Sequence, residues 1–336
     1  MALLGIDIGG TKRVLVVGDH TARVQASRRV EMHFTGDWRQ DLAAIEAEAR
    51  ALLREAEEAE AGPLEAIGIA APGPVDQPAG ILRNPPNLPG WQDVPLAEVM
   101  GQAFGVPVRV ENDANAATLA EHRFGAGRGC DDLVFLTMST GVGGGAISGG
   151  RLLEGANGFA AELGHVPIVP GGLRCHCGLR GCLEAYVGGR AWARRLRRVT
   201  PQSSRVFALA EGDRKRIDSR LLLEALRAGD AFARVEWARW IDLLARGIVP
   251  IVMAFDPARI VLGTIAVAAG ESLCFEPLRA RVAARLWANQ AERLAIVPAQ
   301  LGDRLPAQAA LAVAGAGIDL GEGVPAPPRD PVDRRV

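Results

Sequence analysis

The densest chemistry in the chain lies in Glu162-Leu-Gly-His165 and the Cys175-His-Cys177-Gly-Leu-Arg-Gly-Cys182-Leu-Glu184 segment that follows. Thiolates and an imidazole are the ligands zinc prefers, and Cys3His is a common closed tetrahedral set. Cys-x-Cys is too tight for an unstrained internal disulfide but suits two ligands on one turn. Gly178 and Gly181 let the backbone fold closely around an ion. The pattern points to zinc held by His165, Cys175, Cys177 and Cys182. The competing readings are free buried thiols or a disulfide among them, although dispersed core cysteines seldom cluster in this way.

Glu162 and Glu184 bracket the cysteines. Carboxylates that sit beside a metal loop without ligating it are placed to accept hydrogen bonds from hydroxyl groups. A His165 ring with one nitrogen on zinc keeps its other N–H free to donate outward. A closed four-ligand site leaves no position for a reactive water. Zinc would therefore shape a binding wall for a hydroxylated ligand such as a sugar and take no part in the reaction.

Two glycine loops carry a second kind of chemistry. Leu3 to Ile8 is an apolar run broken by Asp7, Gly9-Gly10-Thr11-Lys12 turns the chain, and Val14 to Val17 is apolar again. This predicts a β-hairpin with a glycine-rich turn. Backbone N–H groups in such a turn can cradle phosphate oxygens, since no Cβ blocks the approach. Asp7 can hold Mg²⁺ through water, and Thr11 and Lys12 can reach phosphates. Lysine occurs elsewhere only at Lys215.

Leu133 to Met138, then Ser139-Thr140-Gly141-Val-Gly143-Gly144-Gly145, then Ala146-Ile147 repeat the order of strand, loop and strand. The echo predicts an internal duplication of one lobe plan. Gly9 and Gly10 would face Thr140, Gly141 and Gly143 across a nucleotide tail. Ordinary glycine turns are the bland alternative, but a carboxylate inside an apolar strand still asks for a role, because burying it unpaired is costly.

Between the two loops, Val106 to Val110 reads as a strand that ends in Glu111-Asn112-Asp113-Ala-Asn115-Ala, and Ala114 to His122 reads as a helix. Polar groups at a strand-to-helix junction sit where α/β folds place ligands. Helix capping explains one of these residues but not the set.

The remaining elements must position these segments. Asp41 to Glu60 reads as an amphipathic helix and Ala66 to Ala71 as a strand. Asn84-Pro-Pro-Asn87-Leu-Pro-Gly-Trp91 is an irregular loop anchored by its tryptophan. Ala191 to Arg198, Leu221 to Ala228 and Ala231 to Ile251 read as helices, Ala254 to Ile265 as turn, strand and turn, and Ala307 to Val313 as a closing helix. From Gly321 the chain turns to Pro, Asp and Arg without periodicity and reads as a disordered tail. A length of 336 residues predicts two domains. A net charge of −1 gives no sign of nucleic-acid or membrane binding. The start of the chain is not a signal peptide and no apolar run would span a bilayer. Clustered cysteines without a secretion signal point to a reducing cytoplasm.

Taken together, E-x-G-H, C-x-C-G-x-x-G-C-x-E, D-I-G-G-T-K and E-N-D-A-N-A resemble the ROK family of sugar kinases and repressors, from about residue 4 to about residue 315. The resemblance implies an α/β, two-lobed actin-like ATPase (ribonuclease H-like) fold with a central cleft. Residues 1–114 with about 302–320 would form the small lobe and 115–301 the large one. It implies ATP-dependent phosphorylation of a hexose, foremost glucose at its 6-hydroxyl, with Asp113 as base and Asn112 on a sugar hydroxyl. Glu111 is the alternative base. A-P-G-P-V-D and P-N-L-P-G-W are similar to segments beside the family's sugar cleft, which adds Gly73 and Asn87. The implied cofactors are ATP, Mg²⁺ and Zn²⁺, and the implied assembly is a homodimer or homotetramer.

Two departures stand out. Arg13 replaces a smaller residue beside the first phosphate loop. Gly263-Thr264-Ile265 stands where the family has a run of glycines approaching adenosine. The rival functions are a kinase for N-acetylmannosamine, N-acetylglucosamine, fructose or mannose, a non-catalytic sugar sensor, and a filament-forming relative. The sensors carry a helix-turn-helix for which no room precedes residue 7, and a filament leaves the cysteine loop and E-N-D without purpose.

Overall fold

The computed structural model describes residues 1–319. Its first sheet contains β1 (Ala2–Ile8), β2 (Lys12–Gly18), β3 (Val24–Glu31) and β4 (Leu64–Ala71). A small ribbon of β5 (Val75–Asp76) and β6 (Ile81–Leu82) follows, and β7 (Val108–Asn112) completes the first sheet. The second sheet contains β8 (Leu133–Met138), β9 (Val142–Ser148), β10 (Arg151–Leu152), β11 (Arg259–Thr264) and β12 (Ala295–Pro298). The orders are β3-β2-β1-β4-β7 and β10-β9-β8-β11-β12. In each sheet the outer hairpin strands are antiparallel and the last three strands run parallel. Both glycine loops are thus the first hairpin turns of sheets with one topology.

In the first half, α1 (Trp38–Glu58) and α2 (Leu96–Phe104) cover one sheet face, and α3 (Asp113–Phe124) leads into the second half. There α4 (Glu184–Val187), α5 (Gly189–Val199), α6 (Arg205–Leu209), α7 (Ser219–Arg227) and α8 (Ala231–Phe255) build the largest core. Trp192, Trp237 and Trp240 pack at its centre, the last two stacked with rings 4.8 Å apart. Short α9 (Ile265–Ala269), α10 (Glu276–Ala283) and α11 (Ala288–Arg293) follow. Finally α12 (Leu305–Asp319) returns to lie across β1 and β4. Gly68 permits that approach: a Cβ there would stand 2.2 Å from the backbone nitrogen of Ala314.

Several expectations change. The turn after the strand at 259–264 is the short helix α9, and α8 runs on to Phe255. β3 was not apparent in the sequence because it is a largely exposed edge strand with Arg28 and Arg29 in place of an apolar alternation. Arg13, beside the first phosphate loop, is buried and turned toward α1, where its guanidinium pairs with both carboxylate oxygens of Glu48. Trp91 anchors its loop as expected: it is buried, and its Nε1 donates to Asp41 Oδ2 at 2.9 Å. The tail expected to be disordered from Gly321 lies outside the described residues.

Candidate active site

Parallel pairing sets the ends of β1, β4 and β7 side by side, with Asp7 opposite Ala70 and Ala71 opposite Asn112. The carboxyl ends of parallel strands are where such sheets hold ligands. Asp7 and Asp113 stand there close enough to repel each other. The Asp7 carboxyl is pushed up to about 7, first by burial and then by the charge of Asp113, while Arg29 and Lys12 pull it back. Two carboxylates crowded in this way make a place that attracts a cation or a proton.

Asp113 is the first residue of α3. Its residue surface still meets solvent, but surrounding atoms crowd the carboxyl. That burial is the largest influence raising its pKa, and the charge of Glu162 adds to it. Its Oδ1 accepts from the Ala114 N–H at 2.8 Å, which leaves the second oxygen available. Asn112 is the helix cap: its Oδ1 accepts from Ala114 N at 2.9 Å, and its Nδ2 would stand 3.0 Å from a Cβ on Gly73. Glu111, the alternative base, has its carboxylate surrounded by donors. It is buried, and Asn112 N, Asn115 Nδ2, Gln77 Nε2 and Arg109 Nη2 all donate to it.

At the first loop, Gly9 N donates to the Lys12 carbonyl at 2.9 Å. Gly10 faces the Asn87 carbonyl, 3.2 Å from where a Cβ would stand. Thr11 and Lys12 are exposed beside them. In the second loop, Ser139 and Thr140 offer their carbonyls to the N–H groups of Gly189 and Arg190, both at 2.9 Å. Gly143 is already in β9, where a Cβ would stand 3.1 Å from that of Ala114. Its missing side chain lets α3, and with it Asp113, lie close to the second sheet. Gly263 is in register with Thr137. Thr264 follows at φ 47° and ψ −104°, its hydroxyl bonded to the Met138 carbonyl just before the second loop.

The ligand atoms of His165, Cys175, Cys177 and Cys182 lie within 4.8 Å of one another. Cys175 Sγ is 3.6 Å from His165 Nδ1, and the sulfurs of Cys177 and Cys182 are 3.7 Å apart, so the two are not disulfide-bonded. Zinc–sulfur bonds of about 2.3 Å in a tetrahedron require sulfurs roughly 3.8 Å apart, so donors and spacing fit zinc. Burial pushes the Cys175 thiol up to about 12, and a cation would reverse that by favouring thiolate.

Sequence reasoning overlooked His176. Its Nδ1 lies 2.7 Å from Glu184 Oε1, and with His165 and Glu184 it forms a second possible ligand group. The clue was its place between two ligand cysteines. Glu184 itself reaches the other loop: its Oε2 accepts from Val142 N at 2.9 Å, and a Cβ on Gly141 would stand 2.3 Å from that oxygen.

A family model described as the ROK family matches residues 3–316. Over 285 residues the chain is 40% identical to a glucokinase of Thermotoga maritima, covering 84% of this chain and 87% of that protein. A ROK hexokinase from Thermus thermophilus superposes with a TM-score of 0.80 at 36% identity, covering 96% of this chain and 100% of the other. A ROK family glucokinase from Streptomyces griseus, solved with glucose and AMPPNP, superposes with a TM-score of 0.73 at 33% identity, covering 94% and 99% of the two chains.

Proposed function

This chain belongs to the ROK family, and we propose that it transfers the γ-phosphoryl group of ATP to the 6-hydroxyl of glucose. It has the two-lobed actin-like fold and is an ATP-dependent sugar kinase. The choice of glucose rests on its likeness to glucokinases over most of its length. The single observation that carries the chemistry is that Asp7 at the end of β1 and Asp113 just past the end of β7, one strand apart across β4, feel each other's charge, and that Glu162 acts on Asp113 in the same way.

In this reading Asp113 accepts the proton of O6 on its unbonded oxygen. The O6–Pγ bond forms as the bond from Pγ to the bridging oxygen breaks, and ADP leaves with that electron pair. A carboxyl held above its usual range is a better acceptor at neutral pH. Mg²⁺, when bound, would offset charge on the phosphates, and Asp7 would orient it. Gly9, Gly10, Thr11 and Lys12 on one side and Thr140, Gly141 and Gly143 on the other position the phosphates, with Gly263 toward adenosine. Asn112, Glu162, His165 and Glu184 hold sugar hydroxyls, with Gly73 and Asn87 alongside.

His165, Cys175, Cys177 and Cys182 would hold zinc, which stiffens the sugar wall. Catalysis then comes from positioning and electrostatics. The lobes are 1–114 with about 302–320, and 115–301; the packing of α12 on β1 and β4 supports placing it with the first, and α12 also packs on α3 at the boundary. The test is ADP release by the purified protein with Mg-ATP over a panel of hexoses. Turnover with glucose well above N-acetylmannosamine, N-acetylglucosamine, fructose and mannose is expected. A different preferred sugar would overturn the glucose assignment, and no turnover with any of them would overturn the kinase reading itself.

A further inference from the structure

A cavity of about 470 Å³ lies beside β2 and β3, bordered by Arg29, whose charge also acts on Asp7. It is bounded by Val14 of β2, Ser27 and Arg29 of β3, Asp303 and Arg304 just before α12, and Gln308 in its first turn. Its volume is in the range of pockets that hold small metabolites. Gln308 is only 8% exposed, and its Oε1, closed off from solvent, has no hydrogen-bond partner among the described residues. A buried acceptor without a donor is costly, so this oxygen asks for one. No hydrogen bond or ion pair occupies the guanidinium of Arg29 or Arg304 among the described residues.

The chemistry of the walls restricts the ligand. Two guanidinium groups suit a phosphate, which they can grip through paired N–H donors. The Gln308 oxygen and the Asp303 carboxylate suit hydroxyl donors. Hydrogen phosphate carries only one O–H for the two acceptors, and an uncharged sugar would give neither arginine an anion to grip. We propose that this cavity binds a small phosphorylated polyol, its phosphate against Arg29 and Arg304 and its hydroxyls on Asp303 and, with the amide turned toward the cavity, on Gln308. The site goes beyond the kinase reading; none of its residues is assigned to phosphoryl transfer, although the charge of Arg29 reaches Asp7. Its communication with the transfer residues is short, because Arg29 is in register with Val14 and Val14 with Asp7 across three neighbouring strands.

The test is calorimetric titration of glucose 6-phosphate into full-length protein already saturated with glucose and AMPPNP, so that the kinase site is filled. One further equivalent per chain is expected, weakened at least roughly tenfold by Arg304→Ala through loss of a charge-assisted contact. Ser27→Trp, which fills the cavity from β3 without removing any charge, is expected to weaken it as well. Melting temperatures of both variants report whether the fold is kept. No uptake by the saturated wild type, or unchanged uptake in both folded variants, would overturn the site. Equal affinity for inorganic phosphate would overturn the polyol as its ligand.

Discussion

Glu184 joins two parts of the site with one carboxylate: Oε2 accepts the Val142 N–H of the second glycine loop at 2.9 Å, and Oε1 lies 2.7 Å from His176 Nδ1 in the cysteine loop. The same segment donates the N–H groups of Gly189 and Arg190 to Ser139 and Thr140. Cysteine loop and phosphate loop are therefore tied to each other by hydrogen bonds. Glu184→Ala leaves the Val142 N–H without its acceptor, a loss of about 1–3 kcal/mol for a buried group. The expected result is a higher KM for ATP as well as for glucose. A change confined to the sugar would show that the link to the phosphate loop carries no weight.

Asp113→Asn keeps the shape of the side chain and its bond to the Ala114 N–H but removes the proton acceptor. Turnover should fall by about 10²- to 10⁴-fold, the usual contribution of a general base. Glucose binding, followed by equilibrium titration, should change little. Near-normal turnover would remove Asp113 from the mechanism.

Cys177→Ser takes one thiolate from a set whose atoms lie within 4.8 Å of one another. Elemental analysis of the wild type should give about one zinc per chain, and the variant should lose it along with several degrees of melting temperature. A wild type without zinc, or a variant with full zinc content, would refute the ligand assignment.

The raised pKa of Asp7 fixes the sign of a pH effect. Its folded value of about 7 lies above the ordinary 3.8, so the folded state binds the proton more tightly than the unfolded chain. Asp7 therefore destabilises the nucleotide-free protein progressively as pH rises from about 4 to about 7. Asp7→Asn should melt higher than wild type at pH 8, with the gap narrower at pH 5 and closing toward pH 4. An equal gap at both values would show that Asp7 titrates normally.

Thr264 is a β-branched residue at positive φ, which costs about 1–3 kcal/mol. Thr264→Ala keeps that backbone penalty and loses the hydroxyl bond to Met138. Thr264→Gly loses the same bond but relieves the backbone. The glycine variant should be the more stable of the two by about 1 kcal/mol in denaturant unfolding. The reverse order would mean that the turn is unstrained.

Much of this site was legible in the sequence because its residues cluster along the chain. Gly9 to Lys12, Glu111 to Asp113 and Cys175 to Glu184 are each contiguous, and each lies on a strand end, helix start or tight loop whose signals are local. The duplicated hairpins were legible for the same reason. What was not legible depends on contacts distant in sequence. Nothing near Arg13 reveals that it pairs with Glu48, and nothing near Glu111 reveals that Gln77 and Arg109 occupy it. The edge strand β3 lacks an alternating pattern because much of it faces solvent. Glycine itself reads ambiguously: Gly143 looks like part of a phosphate cradle but also makes room for α3.

The trio of Trp192, Trp237 and Trp240 gives the molecule a built-in optical label. Indole rings this close exchange excitation, so they should produce a strong paired signal in circular dichroism and share their fluorescence. All three belong to the core of the second half, whereas Trp91 reports from the loop that faces Gly10. Unfolding followed at these wavelengths would therefore watch mainly one half of the protein, and a chromophore at Trp91 alone would watch the other.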